Sequence, residues 1–125
     1  MRTASIEIGG KAHLLCFSAR VVRAVTERYG GMEHIDAALS ADDPLKALDE
    51  AVWLLATMMD GGARYARQNE IPNAPALTAD ELLDVLDIGD FAKMRAKIAE
   101  TITNGKETHV EADPGKNAET TPAAP

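Results

Sequence analysis

Apolar and polar residues alternate at the start of the chain, and this spacing predicts strands. The alternation covers residues 5–8, and a second strand-like run covers residues 11–17. Gly9 and Gly10 separate the two runs. A two-residue hairpin turn needs positive φ at both central positions, and glycine adopts it without steric cost. The sequence therefore predicts an N-terminal β-hairpin.

After the hairpin, apolar residues recur every three or four positions, which is the spacing of one helical face. Ser18 offers a side-chain oxygen as the N-cap of a first helix. Gly30 and Gly31 end that helix, because glycine accepts the left-handed conformation at this position. A short helix or turn is predicted for residues 32–39. The apolar face of the first helix carries Val21, Val22, Val25 and Tyr29.

The longest predicted helix begins at Asp43 and Pro44, a carboxylate cap followed by a proline whose missing N–H does no harm there. Gly61 and Gly62 predict a kink or break, because each costs about 1 kcal/mol relative to alanine inside a helix. Before that pair, the 3-4-3-4 spacing of a packed seam is formed by Leu45, Leu48, Val52, Leu55 and Met59.

Residues 51–59 of this helix are apolar almost all the way round, and they include the only tryptophan, Trp53. A surface helix normally shows one apolar stripe. Two interpretations remain open. In the first, the helix is the spine of the core. In the second, the side with Leu54 and Met58 faces outward as a docking surface, a role for which methionine is well suited.

Two further helices are predicted after a loop at residues 71–76. Thr78 and Glu81 have the spacing of a capping box, and residues 87–90 break that helix and cap the next one. The two apolar faces consist of Leu82, Leu83, Val85 and Leu86 in the first helix, and Phe91, Met94, Ile98 and Ile102 in the second.

These elements predict a mainly α fold in which a small N-terminal β-hairpin precedes a compact bundle of about four to five helices. One domain over residues 1–104 is expected. Residues 105–125 are predicted to be a disordered polar segment, because Val110 is their only large aliphatic residue. Such a composition cannot bury enough surface to offset the entropy of the chain.

Composition narrows the functional classes. The net charge of −7 disfavours nonspecific nucleic-acid binding, which needs a positive field. A single cysteine allows no disulfide within the chain and favours a reducing compartment. The longest apolar run has about nine residues, against roughly 20 for a membrane span. The sequence therefore predicts a soluble cytoplasmic protein with no membrane or nucleic-acid partner.

Catalytic or cofactor chemistry is not predicted. The histidines have no second histidine or cysteine at metal-ligand spacing and are expected to be surface or hydrogen-bonded residues. Cys16 is expected to be a small buried apolar residue. The acidic pairs lie at helix starts, where the helix dipole favours them. We expect no catalytic residue, metal ion, cofactor or small-molecule substrate.

Arg64, Tyr65 and Arg67 form a small basic cluster late in the longest helix. It is interpreted either as a favourable interaction with the helix C-terminal dipole or as a contact with an acidic partner or nucleic acid, for which one aromatic residue and two arginines are weak support. Together with the docking interpretation, this gives a set of candidate partner-binding residues: Trp53, Leu54, Met58, Arg64 and Tyr65.

Four segments resemble the tail assembly chaperones of long-tailed bacteriophages and prophages, in the same order of elements. They are residues 6–11, 27–32, 51–65 and 77–83, so the resemblance extends over about residues 5–100. It implies a noncovalent chaperone without catalytic residues, which binds the helical tape measure protein and helps tail-tube subunits polymerise around it. It also implies action in the bacterial host cytoplasm and absence from the mature virion.

Many members of this family exist in a short form and in a form extended by a programmed ribosomal frameshift. The resemblance implies that this chain is the short form, and its polar C-terminal segment fits a linker into the extension. Self-association is left open. The alternative function is a small cytoplasmic adaptor or regulatory interaction domain unrelated to tails.

Overall fold

The computed structural model describes residues 2–106, and the predicted fold class is confirmed. Most of the predicted disordered segment, from residue 107 onward, lies outside the described residues. Short 3-10 turns at Met32–His34 and Ile88–Asp90 precede two of the helices. The elements are β1 (Thr3–Ile8), β2 (Lys11–Cys16), α1 (Ala19–Tyr29), α2 (Ile35–Leu39), α3 (Pro44–Gln68), α4 (Ala79–Val85) and α5 (Phe91–Gly105).

The predicted hairpin is confirmed. Strands β1 and β2 pair antiparallel, with Ile8 opposite Lys11 at the turn. Gly9 and Gly10 have φ values of 59° and 79°, the left-handed conformation that this turn requires. One face of the hairpin, which includes the buried Ile6, faces the helices.

Side-chain caps fix the predicted helix starts. Ser18 Oγ accepts a backbone N–H in the first turn of α1 at 3.4 Å, and the Asp43 carboxylate accepts one in α3 at 3.0 Å. The capping box of α4 has both of its hydrogen bonds: the Thr78 N–H donates to the Glu81 carboxylate at 2.9 Å, and the Glu81 N–H donates to the Thr78 hydroxyl at 3.1 Å. These polar patterns placed the helices correctly because capping is a local interaction.

Helix α3 is the centre of the domain. It packs against β2 and against all four other helices, so its apolar residues find neighbours on nearly every side. Leu54, Leu55, Met58 and Met59 have no exposed surface. The interpretation of residues 51–59 as the spine of the core is confirmed.

The predicted break at Gly61 and Gly62 is wrong, because α3 continues through both residues to Gln68. At position 62 an added Cβ atom would overlap the carbonyl oxygen of Leu14 in β2. At position 61 it would lie 2.9 Å from the carbonyl oxygen of Cys16. The glycine pair therefore lets the helix backbone approach the hairpin backbone, and tertiary packing outweighs the low helix propensity.

Two predicted apolar faces are only partly buried. Leu45, the first residue of the predicted seam, is 66% exposed, so its placement in the core is wrong. In α4 only Leu82 is buried, whereas Leu83 and Val85 are 48% and 50% exposed. Periodicity shows which residues share a face, but it does not show whether another element covers that face. No helix in residues 2–106 is long and apolar enough to cross a membrane.

Candidate partner-binding site

An apolar groove of about 690 Å³ lies where the end of α2, the start of α3 and the start of α5 meet. Its volume is within the range of about 300–1,000 Å³ that is usual for ligand pockets. We call it the α3–α5 groove. It is lined by Leu39, Ser40, Ala41, Pro44, Leu45, Ala47, Leu48, Ile88, Phe91 and Arg95.

Two large apolar side chains in this groove are exposed to solvent. Ile88, in the 3-10 turn before α5, is 88% exposed, and Leu45, in the first turn of α3, is 66% exposed. The buried Leu39 and Ala47 also line the groove. Contiguous exposed apolar surface commonly marks an interaction site, so this groove is the strongest candidate site in residues 2–106.

Local capping fixes the two turns that carry these side chains. The Asp87 N–H donates to the Asp90 carboxylate at 2.8 Å, and this reciprocal capping box closes the turn that carries Ile88. Asp43 is the N-cap of α3 and Pro44 is its first residue, so Leu45 lies in the first turn, ahead of the buried part of the helix. Two sequence features therefore belong to this site. Ile88 is a large apolar residue between two acidic capping residues, and Leu45 begins the apolar seam of α3 before the helix becomes buried.

Carboxylates border the groove along the chain. Asp42, Asp43 and Asp87 flank its lining residues in sequence, and Asp49 lies one helical turn after Leu45. We call these four residues the acidic rim. Asp90 also precedes a lining residue, but it lines a separate pocket with Lys93. Arg95 is the basic residue among those lining the groove, and its guanidinium lies 5.8 Å from the centre of the Phe91 ring.

The structure rejects Leu54 and Met58 as a docking surface, because both are completely buried. That interpretation assumed a free side of α3. The hairpin occupies one side of the helix and the other helices occupy the rest. These two residues support the site only by holding α3 in place.

Trp53 is half-buried in a cluster that joins α1 to α3. Its ring meets the Tyr29 ring edge to face, with centroids 5.8 Å apart, and the Arg28 guanidinium lies 4.4 Å from its centre. Glu50 accepts a hydrogen bond from Arg28 at 2.9 Å and another from the Tyr29 hydroxyl at 2.6 Å. Trp53 does not line the α3–α5 groove, and its contacts join α1 to α3.

Ionisation in this cluster follows from its hydrogen bonds. The Arg28 guanidinium holds the pKa of Glu50 below its ordinary value of 4.5. Burial, and then the hydrogen bond to Glu50, raise the pKa of Tyr29 above its ordinary value. Glu50 is therefore ionised and Tyr29 protonated at neutral pH, which is the state that favours both hydrogen bonds.

Replacing Glu50 with glutamine is expected to lower the free energy of unfolding by about 1 kcal/mol at pH 7, since Arg28 is partly solvated and the pair is screened. Because folding lowers the pKa of Glu50, its contribution is complete above pH 4.5 and is lost as the pH falls through the folded-state pKa. Urea unfolding at several pH values should show that, as the pH falls, the free energy of unfolding decreases less in Glu50→Gln than in the wild type. The matched control is Glu27→Gln, at an exposed position. An equal decrease in the free energy of unfolding at low pH in Glu50→Gln and in the wild type would contradict this prediction.

Arg64 and Tyr65 lie in a different place, a pocket of about 250 Å³ beside the start of α1. Arg64 binds Asp60 at 2.9 Å, and the Arg2 guanidinium lies 5.3 Å from the centre of the Tyr65 ring. Arg20 also lines this pocket. The structure thus brings Arg64 and Tyr65 together with two further arginines but separates them from Trp53 and from the α3–α5 groove.

The cysteine and histidine side chains that were considered for catalysis or metal binding include two buried residues, Cys16 and His13. Cys16 is buried as predicted, and burial raises the pKa of its thiol. His13 is also buried; the backbone of Pro75 forms a hydrogen bond with its ring, whereas its Nδ1 has no partner in the described part of the chain. The expectation of a surface or hydrogen-bonded histidine is therefore confirmed only in part at this position. Residues 2–106 hold no group of three or more His, Cys, Asp or Glu side chains that could bind a metal ion.

Comparisons of the chain with protein-family models, with curated proteins and with solved structures give no match. The features that bear on function are therefore the groove, its charges and the resemblance of the sequence segments. Of the five candidate binding residues from the sequence, two are core and three lie outside the groove. Four groove residues had been predicted only as parts of helix starts or apolar helix faces: Pro44, Leu45, Leu48 and Phe91.

Proposed function

We propose that this protein is a tail assembly chaperone that binds apolar helices of a phage or prophage tape measure protein without covalent chemistry. The observation that carries the proposal is the α3–α5 groove, where Leu45 and Ile88 are exposed with no partner in residues 2–106. The resemblance of the sequence segments supplies the identity of the partner.

The physical requirements of such a chaperone fit this surface. Helix-in-groove binding needs an apolar channel that accepts side chains from one face of a helix. Fully burying a Leu or Ile side chain contributes about 1.5–3 kcal/mol, so covering Leu45 and Ile88 supplies a useful part of a reversible affinity. The net charge of −7 opposes clustering of the chaperone with itself while the groove is empty.

In this proposal the protein acts in the bacterial host cytoplasm, before and during polymerisation of the tail tube. It holds the tape measure protein until tube subunits cover it, and it is absent from the mature virion. The tail-tube protein is a second candidate partner. The chain is the short form of a frameshift pair if its gene carries a slippery sequence near the end of this reading frame.

Co-expression with the tape measure protein from the same genome tests the proposal. We expect the chaperone to co-purify with the tape measure protein and to raise its soluble fraction several-fold. The double variant Leu45→Ser/Ile88→Ser should lose most of both effects, because it removes the exposed apolar side chains of the groove. The matched control is Leu83→Ser/Val85→Ser, which removes two similarly exposed apolar residues that do not line the groove.

Failure of the wild-type chain to co-purify with the tape measure protein or to raise its solubility would overturn the proposed function. Equal loss of binding in the two double variants would mean that the α3–α5 groove is not the binding site. Circular dichroism and thermal unfolding of each variant establish that the comparison is between folded proteins.

The alternative, a small adaptor domain unrelated to tails, would use the same groove for a different helix. Gene neighbourhood separates the two functions. A tape measure gene directly downstream and a tail-tube gene upstream would favour the chaperone, and a neighbourhood without tail genes would favour the adaptor.

A further inference from the structure

We infer that the α3–α5 groove selects an amphipathic helix whose apolar stripe is flanked by lysine or arginine. The inference rests on the proposed function only in taking the groove as the docking site. It adds the charge of the partner, which neither the resemblance nor the apolar lining specifies.

The first step concerns the charges at the groove. The acidic rim consists of four exposed aspartates that stand next to groove-lining residues in sequence or one helical turn from them. Asp43 is also tied to the backbone at the start of α3 by its capping hydrogen bond. A helix that enters the groove must bring its flanking side chains close to these negative charges.

The second step concerns the nearby cations. Lys46 lies in sequence between the lining residues Leu45 and Ala47, and it also acts on Glu50 one helical turn along α3. Lys93 lines a separate pocket with Glu7 and Asp90. Among the lining residues of the groove, Arg95 alone is basic, and it lies against Phe91. The four rim carboxylates therefore outnumber Lys46 and Arg95, and complementary potentials favour a basic partner.

The third step excludes a second copy of this chain as the preferred occupant. The exposed apolar residues Leu83 and Val85 could serve as its docking stripe, but they lie on α4. The sequence of α4 contains Asp80, Glu81 and Asp84 and no basic residue. Docking it would place three carboxylates beside the acidic rim, and like-charge juxtaposition opposes that pairing.

These three steps define the occupant as a helix with large apolar residues at i, i+3 or i+4, and i+7, and with basic residues beside them. Exposed ion pairs contribute modestly, about 0.2–1 kcal/mol each. A few such pairs give roughly tenfold discrimination at low salt, since 1.4 kcal/mol corresponds to a factor of about ten. The apolar stripe supplies affinity, and the rim supplies selectivity.

Two labelled synthetic peptides test the inference with the full chain. Both are helical and carry the same leucine stripe, but one is flanked by lysine and the other by glutamate. Fluorescence anisotropy at low and high salt gives the dissociation constants. We expect the lysine peptide to bind about tenfold more tightly at low salt, with a smaller ratio at high salt because the rim charges are solvent-exposed.

Variants assign this preference to the groove. Asp42→Asn/Asp87→Asn should reduce it about threefold, and asparagine at position 87 can keep the cap. The charge-matched control Glu7→Gln/Glu27→Gln, which changes exposed residues outside the groove, should leave it nearly unchanged. Leu45→Ser/Ile88→Ser should weaken the lysine peptide at least tenfold, whereas Leu83→Ser/Val85→Ser should not.

Equal affinity for the two peptides would overturn the inference, and so would a lysine preference that survives Leu45→Ser/Ile88→Ser, since it would then reflect net charge alone. The proposed function fails separately. If the lysine preference maps to the groove but the tape measure protein does not co-purify, the inference stands and the chaperone assignment falls. If the tape measure protein co-purifies but the peptides bind equally, only the inference falls.

Discussion

Replacing Gly62 with alanine is expected to destabilise the protein by about 3 kcal/mol or more, although the change favours the helix locally. Alanine is better than glycine inside a helix by about 1 kcal/mol. However, the added Cβ atom would overlap the carbonyl oxygen of Leu14 and would lie 2.9 Å from the amide nitrogen of Leu15. Both are backbone atoms of β2, so no rotamer change relieves the overlap, and α3 must move off the hairpin.

Urea unfolding followed by the fluorescence of Trp53 measures this effect. The matched control is Gly89→Ala in the 3-10 turn before α5, where an added Cβ atom has no neighbour within 4 Å. We expect that control to change the free energy of unfolding by less than about 0.5 kcal/mol, as is usual for surface substitutions. A stabilised Gly62→Ala protein would mean that α3 and the hairpin are further apart than the structure places them.

Two leucines of the same helix are expected to have opposite phenotypes. Leu54→Ala should lower the free energy of unfolding by about 2–5 kcal/mol, because it leaves a cavity in a fully buried position. Leu45→Ala should change it by less than about 0.5 kcal/mol, since that side chain is 66% exposed. Partner binding should show the reverse order, with Leu45→Ala weakened and folded Leu54→Ala nearly normal.

Chemical unfolding and tape measure binding, measured on the same preparations, check this pair. A stability loss of 2 kcal/mol or more in Leu45→Ala would place Leu45 in the core, as its position in the seam had predicted. Stable folding of Leu54→Ala together with a loss of binding would restore the interpretation that the side of α3 with Leu54 and Met58 is a docking surface.

Much of the fold is predictable because its signals are local. The Gly9-Gly10 turn, the Ser18 and Asp43 caps and the capping box that starts at Thr78 each act within a few residues. Such patterns fix where an element begins and ends. The same local reasoning fails at Gly62, where a backbone contact with the hairpin decides what the helix tolerates. Only the tertiary structure contains that contact.

The site was less predictable than the fold. The apolar run with Trp53 is compatible with a docking surface, but a helix surrounded by other elements also needs apolar residues on every side. The exposed residues of the groove carry weaker signals: Leu45 continues a regular seam, and Ile88 is a single apolar residue between acidic caps. Neither pattern says which faces remain uncovered once the elements have packed.

Hydrogen exchange tests the proposed binding site most directly. Amide exchange is compared by mass spectrometry between the free chain and its complex with the tape measure protein. We expect protection to increase mainly in residues 39–48 and 87–95, which form the groove, and to change little in the Arg64–Tyr65 pocket. Protection confined to that pocket, or unchanged exchange across residues 39–48 and 87–95, would contradict the account.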